Sequence, residues 1–289
     1  RYFMQSTSQQ SKFDSVRELY DEIYVIVSPP RCSSTAFARV FWEQPSIRYY
    51  AHEPFEGTYF MGQDLNYVTE NLRNPLDLQD IKSYSLTGTG TSLVIKEMPY
   101  QVGEKFPRLM SLTKKPIIFL TRDPRQNIAS RMAKKKEVGD DPLFMHVETG
   151  WQLIADQIKY CKEQGISYMI VDAKDFRNQP LIIFKQVFES LGLPFKEDLL
   201  RWNSRPDVDI DNLDGDHHHL YQEVLSSKGM HPDTDDIPAL NSFPLEKGYR
   251  DHINYCLQIY QRLQVSSARI RVPASHSRQF VQDGFYPGG

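Results

Sequence analysis

"VIVSPPRCSSTAFARVFWEQP", from Val25 to Pro45, decides how this chain folds. "VIVS" is a short apolar run of strand type, and Pro29 and Pro30 end it by removing two backbone donors and fixing φ. Ser33, Ser34 and Thr35 are the residue types that open helices, and after them Phe37, Val40 and Phe41 share one helical face. The stretch is therefore a strand, a stiff loop and a helix. A helix start carries unpaired N–H groups and a partial positive charge, so it holds an anion readily. The hydroxyls add donors, and Arg31 adds a fork of donors shaped for an oxyanion. Two readings stand side by side: a phosphate cradle, or an ordinary helix cap with Arg31 in solvent. No GxxxxGK[ST] occurs anywhere, so the loop is not a Walker A loop. "GTGTS" at 88–92 lacks the lysine and reads as a turn.

Working outward, the same design recurs. Apolar strands are predicted at roughly 23–28, in "IRYYAHEPF" up to Pro54, in "SLVIKEMPY" up to Pro99, from Ile117 to Leu120, and in "SYMIVDAKDF". Helical patterns separate them: an interrupted one over 61–82, then "GWQLIADQIKYCKEQG", "PLIIFKQVFESLGLPF" and 246–264. Nearly continuous apolar strands alternating with helices predict an α/β fold: a mostly parallel central sheet with helices on both faces, a three-layer sandwich. Ligands bind such sheets at the carboxyl ends of the strands. A single domain over 1–289 is expected, with a mobile start over 1–20 and an irregular tail over 265–289.

Hydrophobic residues make up 40% of the 289 and charged residues 25%, enough for a packed core. A net charge of −3 and a pI near 6.3 argue against a nucleic-acid or membrane partner held by overall charge. No apolar stretch approaches the ~20 residues of a membrane span. Cys32, Cys161 and Cys256 are odd in number and scattered, which points to reduced thiols and a cytoplasmic location. His217, His218 and His219 sit among Asp211, Asp214 and Asp216. No ligand partner lies at a recognisable spacing, so they read as a solvated loop and no metal is expected.

"TRDPRQNIAS" places Arg122 at a strand end and Ser130 about two helical turns on. The plain alternative is a surface ion pair between Arg122 and Asp123. Two anion contacts at neighbouring strand ends suit a ligand with phosphates at both ends. Together these residues resemble the sulfotransferases that use 3'-phosphoadenosine 5'-phosphosulfate (PAPS). The family's 5'-phosphosulfate loop, Pro-Lys/Arg-Ser-Gly-Thr/Ser-Thr, is similar to Pro30-Arg31-Cys32-Ser33-Ser34-Thr35. Its 3'-phosphate motif, an Arg with a Ser eight residues on, matches Arg122 and Ser130. "YMIVDAKDFRNQPLIIFKQVFESLGLPF" resembles the family's later strand–loop–helix unit, and the likeness runs over roughly 23–195. More narrowly, "SPPRCSSTAFARVF" and the later "HEPF" resemble a microbial and plant branch of sulfotransferase-like proteins. The resemblance implies a P-loop-like sulfotransferase fold, PAPS as sulfuryl donor, adenosine 3',5'-bisphosphate (PAP) as product, and a small-molecule acceptor.

Three positions depart from the family. Ser33 stands where glycine is common. The late Arg-Lys-Gly motif has only "LEKGYRDH", with Lys247 and Arg250, as its nearest candidate. "VIKEMPYQ" keeps Lys96 but has Glu97 and Met98 where cytosolic members carry a catalytic histidine. Arg31 is then expected to meet the charge on the transferring group, with Lys96 as a second cation. The base is open among Glu53, His52 and Glu97. Glu53, among Tyr49, Phe55 and Tyr59, is expected to have a raised pKa suited to general-base work. The alternative reading makes it a structural ion-pair partner, with Arg31 as the candidate. Adjacent strand residues face opposite sides, so one of His52 and Glu53 is expected to point at the site. Phe55, Tyr59, Phe60 and Trp151 are either acceptor-pocket walls or core. A nucleoside-triphosphate-dependent kinase or NTPase, with Asp172 as its metal-holding acid, and a non-catalytic nucleotide-binding protein are the competing functions.

Overall fold

The computed structural model describes residues 2–83, 90–210 and 221–274, with side chains from residue 8 onward. The His217–His219 run, its three aspartates and most of the expected tail lie outside the described residues. The chain begins with α1 (Tyr2–Asp14), β1 (Ile23–Val27), α2 (Ser34–Trp42), β2 (Ile47–His52), α3 (Glu56–Phe60), α4 (Leu65–Arg73) and β3 (Leu76–Asp77). It continues with β4 (Ser92–Glu97), α5 (Pro99–Val102), α6 (Phe106–Met110), β5 (Ile117–Thr121), α7 (Pro124–Glu137) and α8 (Trp151–Gln164). β6 (Tyr168–Asp172), α9 (Ala173–Asn178), α10 (Pro180–Leu191), α11 (Gln222–Ser226) and α12 (Tyr249–Gln264) complete it.

The six strands lie in the order β3-β2-β4-β1-β5-β6. All neighbours are parallel except β3, which runs antiparallel to β2 at the edge. β3 was not expected: Leu76 and Asp77 fall in the stretch read as interrupted helix. Two residues carry no periodicity, and only their pairing with Tyr50 and Tyr49 makes them a strand.

Alternation along the strands feeds two cores, as a sheet covered on both faces requires. Tyr24, Ile26, Val94, Ile118 and Leu120 face α2 and α10, where Phe37 and Phe184 stack with centroids 5.0 Å apart. Val25, Val27, Ile95 and Phe119 face the opposite layer, which contains Trp151, Ile154, Ile253 and Ile259. Fully burying one such phenylalanine is worth about 2–3 kcal/mol. Among the described residues, 8–20 are not a free tail. Phe13 and Val16 are fully buried in the second core, and Phe13 meets Phe55 edge-on. A polar stretch with two apolar anchors gives little sequence signal, yet the anchors suffice to dock α1 against α4.

Register brings the carboxyl ends level: Val27 lies beside Glu97, His52 beside Lys96, and Thr121 beside Asp172. α2 carries the chain from β1 past β4 to β2, whereas β5 lies on the other side of β1. The strand order therefore reverses at β1, and the crevice above its end is where this architecture binds ligands.

Candidate active site

Residues 28–33 leave β1 through a strained loop. Ser28 N donates to Glu97 O and Asn127 Nδ2 donates to Pro30 O, so β4 and α7 pin its path. Arg31 and Ser33 both have left-handed backbones, with φ of 63° and 59°. Ser33 thus adopts the conformation that glycine takes without cost, at about 1–2 kcal/mol for a residue with a Cβ. It sits at the N-cap of α2 but makes no side-chain cap there. Cys32 points inward and is fully buried, and burial pushes its thiol up to about 12, so it is not a nucleophile.

The two sequence motifs meet. Arg31 Nε donates to Ser130 Oγ at 3.0 Å, and Arg122 Nη1 donates to the Arg31 carbonyl at 3.1 Å. Arg31, Ser33, Ser34, Thr35, Arg122 and Ser130 all line one cavity of about 400 Å³ above β1. That volume is in the range of small-ligand sites. Burial and the nearby Arg122 charge pull the Arg31 pKa down from its ordinary value. Asp123 is not the partner of Arg122; it pairs with Arg125 at 2.7 Å. Arg122 instead meets Asp233 and Asp235 at 3.2 and 2.9 Å.

Glu53 and Lys96 line the same cavity. β2 stops at His52, and Glu53 turns left-handed with φ of 51° immediately before Pro54. Strand alternation ends there, so the two adjacent side chains meet instead of diverging: His52 Nε2 lies 2.7 Å from Glu53 Oε2. Glu53 Oε2 also accepts from Lys96 Nζ at 2.9 Å and Tyr221 OH at 3.2 Å, and Oε1 accepts from Gln101 Nε2 at 3.1 Å. Its ion-pair partner is Lys96 rather than Arg31. Burial alone raises the Glu53 pKa, but the Lys96 ammonium and His52 outweigh it and hold the carboxyl well below the usual range. The expectation of a raised value fails because Lys96 and His52 cannot be placed against Glu53 from spacing. His52 is 3% exposed, with Nδ1 2.6 Å from Tyr50 OH, and lies behind Glu53 away from the cavity wall.

Glu97 is fully buried off the cavity, where its oxygens accept from Phe55 N and Met98 N. Burial and the Glu53 charge push its pKa well up. Phe55 and Trp151 are core, Tyr59 donates to Glu148, and Phe60 is exposed. Lys247 pairs with Asp141, and Arg250 caps carbonyls of Asn241 and Phe243, both away from the cavity. Asp172 uses both oxygens, on Lys174 N and on Thr121, Tyr260 and Gln264. Among the described residues no group of His, Cys, Asp and Glu is placed to hold a metal, and no helix is long and apolar enough to cross a membrane.

Tyr221, Arg131, Arg177 and part of the 227–235 segment, Asp233 not included, complete the wall. None of these was singled out in the sequence.

A family model described as "Sulfotransferase domain" matches residues 23–245. No curated protein matches the chain. Among solved structures, the chain is similar to a sulfotransferase domain from the curacin biosynthetic pathway, at 17% identity and a TM-score of 0.51, covering 86% of this chain and 99% of that one. It is also similar to a sulfotransferase domain from the olefin synthase of Synechococcus PCC 7002, at 16% identity and a TM-score of 0.50, covering 87% and 95%. At such identities these two likenesses establish the fold alone. The family model spans most of the chain and takes in the Arg31–Thr35 loop, Glu53, Lys96, Arg122 and Ser130, and the chain belongs to the sulfotransferase domain family.

Proposed function

We propose that the protein moves the sulfuryl group of PAPS to a hydroxyl or amine of a small acceptor. One observation carries this reading: the Arg31–Thr35 loop, Arg122 and Ser130 share a single cavity with Glu53 and Lys96. The hydroxyls and N–H groups at the start of α2, with Arg31, hold the 5' end of the nucleotide. Arg122 and Ser130 hold its 3'-phosphate. The acceptor oxygen or nitrogen attacks sulfur, the bond from sulfur to the bridging phosphate oxygen breaks, and PAP departs with the electron pair. Arg31 and Lys96 stabilise the charge that builds on the bridging oxygen.

The acceptor's proton goes to Glu53, the carboxylate at the cavity wall. With Lys96 on its Oε2, Glu53 is a weak base; once Lys96 turns to the sulfuryl oxygens, the same carboxylate becomes a stronger one. His52 and Gln101 keep its orientation. The test is titration calorimetry with PAP without added metal, together with turnover of Glu53→Gln. The variant is expected to keep nucleotide affinity and lose about 10²–10⁴-fold in kcat. Absence of PAP binding at millimolar concentration overturns the proposal. Unchanged turnover in Glu53→Gln removes Glu53 as the base.

A further inference from the structure

The strap over residues 231–236 lines the cavity through His231, Pro232, Thr234 and Asp235 with almost all of it exposed, yet it turns one carboxylate, that of Asp233, into a closed setting. The Asp233 side chain is 3% exposed, whereas that of Asp235 is 70% exposed. Asp233 receives Arg122 Nε at 3.2 Å and Nη2 at 3.3 Å, in the forked geometry that a guanidinium offers to a phosphate. Arg177 Nη1 lies 3.9 Å from Asp233 on the other side and donates to Ser33 Oγ at 3.3 Å. Asp233 therefore sits in an anion seat between two arginines, both of which also touch the loop after β1.

Among the described residues, the strap is held by polar bonds. Arg177 donates to the carbonyls of His231 and Pro232, Asn178 accepts from Asp233 N, and Gln126 donates to Asp235 O. Such bonds exchange with water at little net cost. Its leading end is fixed, since Met230 N donates to Leu200 O and Gly229 pairs with Arg201. Arg31, Arg122, Arg131, Arg177 and Lys96 converge on one cavity. Like charges so close favour any anion that can enter, including one from the same chain.

We propose that Asp233 occupies the seat of the nucleotide's 3'-phosphate, that the strap leaves when the nucleotide binds, and that Arg177 then joins Arg122 in gripping that phosphate. This rests on the PAPS reading above. The test is calorimetry with PAP and with adenosine 5'-monophosphate, on the wild type, Asp235→Asn, the Asp233→Asn/Asp235→Asn double variant, and that double variant carrying Arg177→Gln. The double variant is expected to bind PAP about tenfold tighter, because no internal competitor remains. The gain should be absent with adenosine 5'-monophosphate, and Arg177→Gln should reverse it. Asp235→Asn alters an exposed side chain and should give a smaller gain of the same sign without a folding penalty. In the wild type, PAP should speed amide hydrogen exchange over 231–236. A double variant that folds and binds PAP no tighter, an equal gain with the monophosphate, or slower exchange in the strap would each overturn the proposal. Loss of PAP binding in every form, wild type included, overturns the PAPS reading instead.

Discussion

Lys96 and Glu53 form an ion pair 2.9 Å long whose side chains are 3% and 1% exposed. At an effective dielectric constant near 20, charges that close attract by about 6 kcal/mol, and most of this offsets the cost of taking them from water. Removing one partner leaves the other charge stranded, which costs about 3–5 kcal/mol. Glu53→Gln keeps one acceptor oxygen, enough for Gln101 or for Tyr221 in its present position but not both, and strands the Lys96 ammonium. Lys96→Met fills the same space and strands the carboxylate beside His52. Each single variant is expected to lose about 3 kcal/mol, and the double variant little more than either alone, for a coupling of about 3 kcal/mol. Urea unfolding followed by circular dichroism, extrapolated linearly to water, measures all four forms. Losses that add in the double variant would refute the reasoning, because the pair would then not be the reason both charges can be buried. The acid limb gives a second reading. The folded Glu53 carboxyl binds fewer protons than the unfolded one. Its contribution is therefore present above the ordinary pKa near 4.3 and lost as pH falls through the lower folded value. Lys96→Met should shrink that acid-side loss.

Ser33→Gly relieves the left-handed backbone at 59° and loosens the unfolded chain, for a net gain of about 0.5–1 kcal/mol, read as a rise of about 1–3 °C in a thermal melt. Gly150 has φ of 80°, and an added Cβ would lie 3.3 Å from Pro29. Gly150→Ala should therefore cost about 1–2 kcal/mol in the same melt and, on the proposed function, weaken PAP binding by calorimetry, because the strain falls on the loop after β1. His252, stacked on His146 at 4.3 Å and beside Thr149 and Cys256, has its pKa lowered to about 4 by burial and by His146. The folded protein binds fewer protons there, so stability is lost as pH falls from about 6.5 toward 4. Allowing for the water that reaches a half-buried ring, the loss is at most about 2 kcal/mol. Unfolding curves at pH 7 and pH 5 should show the difference, and His252→Gln should flatten it.

The sheet and the loops at its carboxyl edge were legible because their signals are local. Apolar runs ended by Pro29, Pro54 and Pro99 mark strands that stop at one edge, and Arg122 with Ser130 eight residues on marks a helix that presents both to that edge. α1 and β3 were not legible, since Phe13 and Leu76 gain meaning only from what they touch. The polarity of the Glu53 site was also hidden. A raised pKa follows from burial among aromatic residues, and a depressed one from Lys96 and His52; deciding between them needs distances.

The sequence by itself determined the layered α/β frame, the stiff loop before α2, and the pairing of two cation-bearing strand ends. Hydrophobic period and turn chemistry act over a few residues, and a parallel sheet lines up the carboxyl ends of its strands. Only the tertiary structure decided what closes the site: Tyr221 on Glu53 across 168 positions, Arg177 on Ser33 across 144, and Asp233 on Arg122 across 111. Those contacts depend on where long crossovers and an irregular strap come to rest, and no spacing in the chain encodes that.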